Sequence, residues 1–215
     1  MTSVPALQAD MNLRTATDWQ QNFWPVFFLS LITCGIYGIY VLYKMLDRRQ
    51  QHFERMVNLR QHLIGVLKEK AEAAGRSAEL EQDLSQLEGI HMEATARDRA
   101  GEKSPALWLV LSIVVGIVVY YVYYFLNDDF RAHESNEQRF MARASEIMAT
   151  LGMPDQPILM DTVVPERNFI VYILLTLVTC GIYGIYWMYT VLTDPNRHFQ
   201  QHEVWEARLA AAVTV

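Results

Sequence analysis

Apolar positions along the chain fall into three long blocks. No Asp, Glu, Lys or Arg interrupts Trp19–Tyr43, Ser104–Asn127 or Asn168–Thr193, runs of 25, 24 and 26 residues. At about 1.5 Å per residue, each run matches a hydrocarbon core of roughly 30 Å. The pattern predicts three transmembrane helices. Between the first two runs, Phe53, Val57, Ile64, Leu67, Ala71 and Ala74 keep helical spacing, as do Leu80, Leu84 and Leu87 after Gly75-Arg76-Ser77. This predicts a charged antiparallel helical hairpin with coiled-coil-like packing. Ser104-Pro105 supplies an N-cap followed by Pro at the first helical position. Phe130, Glu137, Phe140, Ala144, Ile147 and Leu151 predict an amphipathic helix ending near Gly152 and Pro154, with loop from there to Pro165. Asp194-Pro195 is expected to cap a short last helix carrying Trp205 and Leu209.

The expected fold class is therefore all-α, a helical integral membrane protein. Its organisation reads as a polar segment (1–18), a first membrane helix (19–46), the hairpin (47–103), a second membrane helix (104–127), an amphipathic helix with loop (128–167), a third membrane helix (168–193) and a C-terminal amphipathic helix (194–215). Charge sharpens this reading. All 18 basic and 24 acidic residues lie outside the runs, for a net charge of −6. An acidic balance without a basic stripe argues against nucleic acid as partner. The first run is too long for a signal-peptide core and reads as a retained signal-anchor. Cys34 and Cys180 both sit inside apolar runs with no CxxC or Cys/His cluster, so neither a disulfide framework nor a zinc site is expected.

The chain also repeats itself. Thr33-Cys-Gly-Ile-Tyr-Gly-Ile-Tyr40 recurs unchanged as Thr179-Cys-Gly-Ile-Tyr-Gly-Ile-Tyr186. The middle run is a degenerate copy, with Gly116-Ile117, Tyr121 and Tyr124 matching Gly35-Ile36, Tyr40 and Tyr43. Each copy exits through a similar sequence: Asp47 then His52-Phe53, Asp128 then His133-Glu134, Asp194 then His198-Phe199. Thr179-Cys180-Gly181-Ile182-Tyr183 with Tyr186-Trp187 and Tyr189 resembles the T-C-G-I-Y…Y-W-x-Y signature of a bacterial multi-pass membrane family of unknown function. The resemblance covers the three runs and their exits. It implies a bacterial inner-membrane location and supplies no chemistry.

Within the runs, Ser30, Cys34 and Gly38, and likewise Thr176, Cys180 and Gly184, place small residues at i, i+4 and i+8. Ser112 and Gly116 supply half of that pattern, and Gly35 and Gly181 lie beside it. Close backbone approach at such positions drives helix association in lipid, so these residues are the expected packing interface. Tyr37, Tyr40 and Tyr43, then Tyr183, Tyr186 and Tyr189 with Trp187, form a polar aromatic stripe descending to the charged ends, where an aromatic belt is expected. The deeper hydroxyls of Tyr37 and Tyr183 need partners, for which Thr33 or a backbone carbonyl is the expectation.

Chemistry is sparse. His198 and His202 stand at i, i+4 with Glu203 adjacent, but no third ligand is near in sequence and the H-E-x-x-H pattern is missing. No metal or cofactor is expected, and Phe53 and Phe199 at the exits read as headgroup anchors. Gly101-Glu-Lys-Ser104 lacks the strand and upstream glycine of a phosphate loop. No catalytic constellation stands out, so the chain is not expected to be an enzyme. The leading function is a membrane scaffold or assembly subunit that contacts lipid, forms homo-oligomers or joins a membrane complex, and offers the 47–103 hairpin to a protein partner. A small channel or transporter subunit is the alternative. Basic residues, 13 on one side against 5 on the other, favour N-out, C-in for three spans. This inverts the middle copy. A second alternative, re-entrant wedges that shape or anchor to a membrane, keeps all three exits on one face, but three spans are preferred because a turn in lipid would leave backbone groups unpaired.

Overall fold

The computed structural model describes residues 3–100, 103–153 and 160–214. Those residues are α-helical without a strand among them. Three short apolar helices, α3 (Phe23–Ile32), α6 (Pro105–Val114) and α8 (Phe169–Val178), each turn sharply into a long helix, α4 (Ile36–Ala73), α7 (Val118–Thr150) and α9 (Ile182–Thr214). Two N-terminal helices, α1 (Ser3–Asn12) and α2 (Arg14–Thr17), lie along α4, and α5 (Ser77–Asp98) folds back against α4 and α7.

The three uncharged runs are therefore hairpins rather than spans. No helix among the described residues is long and apolar enough to cross a membrane. The break has a local cause in the repeated octapeptide. Cys34 and Gly35 adopt φ of 49° and 91°, and Cys180 and Gly181 repeat this at 48° and 94°. Two consecutive left-handed residues end a helix. The threonine before them then bridges the halves: Thr33 Oγ1 donates to the Leu29 carbonyl (2.7 Å) and accepts the Tyr37 N–H (3.0 Å). Thr179 does the same between Leu175 (2.7 Å) and Tyr183 (2.9 Å). Further bonds from Gly35 N–H to Ser30 O (2.7 Å) and Gly181 N–H to Thr176 O (2.8 Å) close each turn. The backbone cost that disfavoured a re-entrant path is thus met locally. The middle copy, without Thr or Cys, turns through Val115 and Gly116 instead.

The three long helices run parallel. Val41–Leu46, Val122–Leu126 and Trp187–Leu192 share one cluster near the turns, while Met56–Ala71, Phe140–Met148 and Trp205–Val213 share another further along. All three turns lie at the same end, so the middle copy is not inverted, and the alternating path expected for three spans is replaced by a cyclic one. α3 packs on α4 and α9, α6 on α7 and α4, and α8 on α9, with Phe169 against Tyr124 of α7 (5.0 Å between centroids). The arrangement is a pseudo-threefold bundle of hairpins.

The expected hairpin of 47–103 exists, but its first helix is continuous with the second half of the first apolar run. Ser104 caps α6 as expected, its side chain accepting the Leu107 N–H. Pro154 and the start of the expected loop, and Gly101-Glu102, lie outside the described residues. Asp194-Pro195 does not cap a last helix, because α9 runs straight through Pro195. Proline has no N–H for the carbonyl four residues back. Arg48 supplies the missing donor, its Nη2 reaching Val191 O at 2.9 Å and Leu192 O at 3.2 Å.

Candidate functional site

Equal spacing from the three turns carries the exit histidines to one point. His52, His133 and His198 stand on α4, α7 and α9, and all are fully buried, as is His202 one turn further along α9. His52 Nε2 lies 3.3 Å from His198 Nε2, which lies 3.1 Å from His202 Nε2. Glu137, one turn after His133, enters between them. Its Oε2 is 3.2 Å from His202 Nε2 and 3.4 Å from His198 Nε2, and its Oε1 is 3.0 Å from His133 Nε2. The ligand atoms of His52, Glu137, His198 and His202 all lie within 4.8 Å of one another.

Each imidazole is backed by a carboxylate on its outer nitrogen. Asp18 is 2.8 Å from His52 Nδ1, Asp98 2.8 Å from His133 Nδ1, Glu206 3.0 Å from His202 Nδ1 and Glu134 3.4 Å from His198 Nδ1. Different elements deliver these acids. The end of α2 brings Asp18 and the end of α5 brings Asp98, whereas Glu134 and Glu206 come from α7 and α9. Arg55 bridges Asp18 (2.9 Å) to Glu206 (2.7 Å), Arg60 holds Asp98 (2.6 Å), and Glu134 accepts the Val163 and Val164 N–H groups. Rings close the sides: Phe53 stacks on His133 at 4.2 Å, Phe199 lies 4.8 Å from His52, and Trp205 lies 4.8 Å from His202.

Burial and charge set the protonation of this centre. Burial pulls the pKa values of His52 and His198 below the usual imidazole range, which favours their neutral forms. For His133 burial also pulls down, but Asp98 and Glu137 outweigh it and push its pKa up to about 9. His202 is raised in the same way by Glu137 and Glu206 against its own burial. Burial would raise the carboxyls of Asp18 and Glu137, yet the facing histidines, with Arg55 at Asp18, hold both well below the carboxylate range.

The structure redistributes the residues expected to act. His198 and His202, read as a surface pair unsuited to metal, are buried beside two further donors from other repeats. Phe53 and Phe199, expected in headgroups, meet Phe130 inside the bundle. The small residues do not line one helix face, because the turn falls between them. Gly38 instead meets Ser30 across its own hairpin, where an added Cβ would lie 3.3 Å from Ser30 Oγ. Gly184 meets Thr176 and Tyr120 of the middle copy, each 3.3 Å from such a Cβ. Gly35, Gly116 and Gly181 have open space at the turns, and Cys34 and Cys180 are exposed there; Ser112 and Thr176 are buried. Of the aromatic stripe, Trp187 is buried, Tyr40, Tyr43 and Tyr186 are exposed, and Tyr37, Tyr183 and Tyr189 are half-buried. The Tyr37 hydroxyl accepts from Gln21 Nε2 (3.1 Å) rather than bonding Thr33. His52 and Glu137 were missed as possible ligands. The signal was present in the aligned exits, since equivalent positions on three parallel helices converge on their common axis.

Residues 21–67 and 167–214 match the model of a family described as a domain of unknown function (DUF4234). These segments are the first and third copies, from the apolar hairpin past the exit histidine. No curated protein and no solved structure matches the chain.

Proposed function

We propose that this chain is a single-leaflet membrane scaffold: its three apolar hairpins insert side by side from one face, and the helical bundle beneath them offers α4 and α5 to a protein partner. The observation that carries this reading is the distribution of exposed apolar side chains. Of 28 large hydrophobic residues exposed among the described residues, 25 lie on the hairpins, leaving only Leu13, Met92 and Val204 elsewhere. Exposure peaks at the turns, at 76% for Ile32, 74% for Val114 and 80% for Val178. A patch of this kind on a water-exposed surface is a severe aggregation liability. A ten-residue helix is about 15 Å long, half the hydrocarbon thickness. In the first and third hairpins the threonine bridge and the turn bonds pair backbone groups locally, as a lipid environment demands. The charged residues begin below the hairpins, at Lys44, Lys103 and Arg167, near Trp19 and Trp108, where an interfacial belt belongs.

The native cysteines provide the test. Cys34 and Cys180 sit at two of the three turns. An environment-sensitive fluorophore on either one, in protein reconstituted into liposomes, should be quenched most strongly by lipids labelled near the chain ends. Neither unlabelled thiol should react with a membrane-impermeant maleimide from either side. Ready labelling of both in membrane-bound protein would overturn the proposal. Cysteines introduced at Arg60 and Gln200 should label from one side only, together with one at Arg131; labelling of Arg131 from the opposite side would restore three spans.

A further inference from the structure

The buried centre does more than close the bundle: we infer that His52, Glu137, His198 and His202 bind one divalent transition-metal ion in a closed site that ties the three repeats together. This rests on the donor geometry and is independent of how the hairpins meet a membrane.

The first argument is distance. Ligands about 2.0–2.1 Å from a tetrahedral zinc ion stand roughly 3.4 Å from one another. Four of the six donor pairs stand 3.1 to 3.4 Å apart, His198 to His202, His52 to His198, and Glu137 to both His198 and His202, and the other two, His52 to His202 and to Glu137, lie within 4.8 Å. The second is orientation. Asp18 and Glu206 lie against Nδ1 of His52 and His202, which points each Nε2 inward toward His198. Inward-facing Nε2 atoms 3.1–3.3 Å apart can ligate one ion together once they give up any proton they carry. A carboxylate behind each imidazole is the outer shell that orients metal-bound histidine and raises its basicity. The third is the balance of charge. Asp18, Asp98, Glu134, Glu137 and Glu206 are buried around the centre, and Arg55 and Arg60 are the buried guanidiniums paired with them. Protonated histidines beside these acids offset part of the remainder, and a divalent ion bound in place of those protons offsets it as well.

The donor set narrows the ion. Imidazole and carboxylate without thiolate suit Zn2+ and its first-row neighbours rather than copper(I) or an iron–sulfur cluster. Four protein ligands, all with 0–1% exposed side chains, leave no open position for substrate, which is the arrangement of a structural site. His52 comes from the first repeat, Glu137 from the second, and His198 and His202 from the third. Loss of the ion therefore loosens the bundle at the level where the repeats meet.

The test uses the full chain, purified in detergent without a histidine tag and stripped with chelator. Titration with Co2+ should give the intense visible absorption of a tetrahedral site, saturating at one equivalent per chain and abolished by Zn2+, and Zn2+ should raise the melting temperature. Elemental analysis should find about one metal per chain after dialysis. His202→Gln or His198→Gln should abolish the cobalt spectrum, His62→Gln should leave it unchanged, and Asp18→Asn should weaken Zn2+ binding about 10–100-fold. Because a ligand variant can fail to fold, the wild-type titration stands alone. No spectrum and no thermal shift with Co2+, Zn2+ or Mn2+ would overturn the inference, as would stoichiometric binding that survives the double change His198→Gln, His202→Gln.

Discussion

At the scale of single residues, this chain compensates exceptions in its own pattern through long-range partners. Pro195 stands inside α9, where its missing N–H orphans the Val191 carbonyl, and Arg48 from α4 fills that gap from the neighbouring repeat. Arg48 is itself fully buried, and burial pulls its pKa down to about 9. Asn196 Oδ1 (3.1 Å) and the Trp19 carbonyl (3.3 Å) accept its other amino group. Arg48→Met should therefore destabilise the protein by about 1–3 kcal/mol for each carbonyl left buried and unpaired. In a Pro195→Ala background the helix regains its own donor, and the same change should cost measurably less. A double-mutant cycle of thermal melts reads that coupling, and simple additivity would refute the pairing. Sequence showed the proline and placed it at a helix start, because Asp-Pro is a common start signal. It could not show that an arginine 147 positions earlier would supply the donor. The histidines have the same lesson: His198 and His202 were visible as an i, i+4 pair, but their partners arrive from other helices, and only the register of the repeats points to them.

The element that defines the molecule is the apolar hairpin. Its apolar content and length were legible, and so were its start signals at Ser104 and the following proline. Its break was not, since Gly and Cys inside an apolar run also read as a close-packing helix face. In the two identical copies the threonine supports the break, its hydroxyl joining a last-turn carbonyl of one helix, Leu29 or Leu175, to the Tyr37 or Tyr183 N–H of the next. Thr33→Val or Thr179→Val keeps the shape and removes the hydroxyl. Each should cost about 1–3 kcal/mol by stranding the Tyr37 or Tyr183 N–H in apolar surroundings. Amide exchange of those two residues should accelerate, with Ser at either position restoring protection; unchanged exchange would show that the turn holds without the bridge. Glycines in the hairpins should separate by position. Gly184→Leu drives a side chain against Thr176 and Tyr120 and should loosen the second and third repeats, whereas Gly116→Leu enters open space. Detergent-resistant melting that falls for Gly184→Leu and stays level for Gly116→Leu would place the packing contact between repeats.

Across the whole molecule, the three repeats act as one device because their long helices are parallel: turns gather at one end, exit histidines at one level, and the α4–α5 hairpin extends beyond. Charge bias favoured three alternating spans, since a count of lysine and arginine presupposes that every apolar run crosses. The packing order of matched clusters on α4, α7 and α9 replaces that assumption with a common direction. If the hairpins are equivalent wedges, their contributions to membrane affinity should be similar and nearly independent. A lysine at the tip of one, at Ile32, Val114 or Val178, places a charge where insertion costs about 2.5–3.5 kcal/mol. Each single change should therefore weaken liposome partitioning by roughly 100-fold, and pairs should multiply because the three tips are separate turns. Co-flotation across a lipid titration measures this directly. One silent tip would mean that its hairpin stays out of the bilayer, and three silent tips would mean that the apolar crown is covered by protein instead. The middle hairpin is the sharpest case, because it lacks the threonine bridge and lies outside the segments matched to DUF4234. A full loss at Val114→Lys would show that the degenerate copy kept the shape of its siblings after losing their sequence.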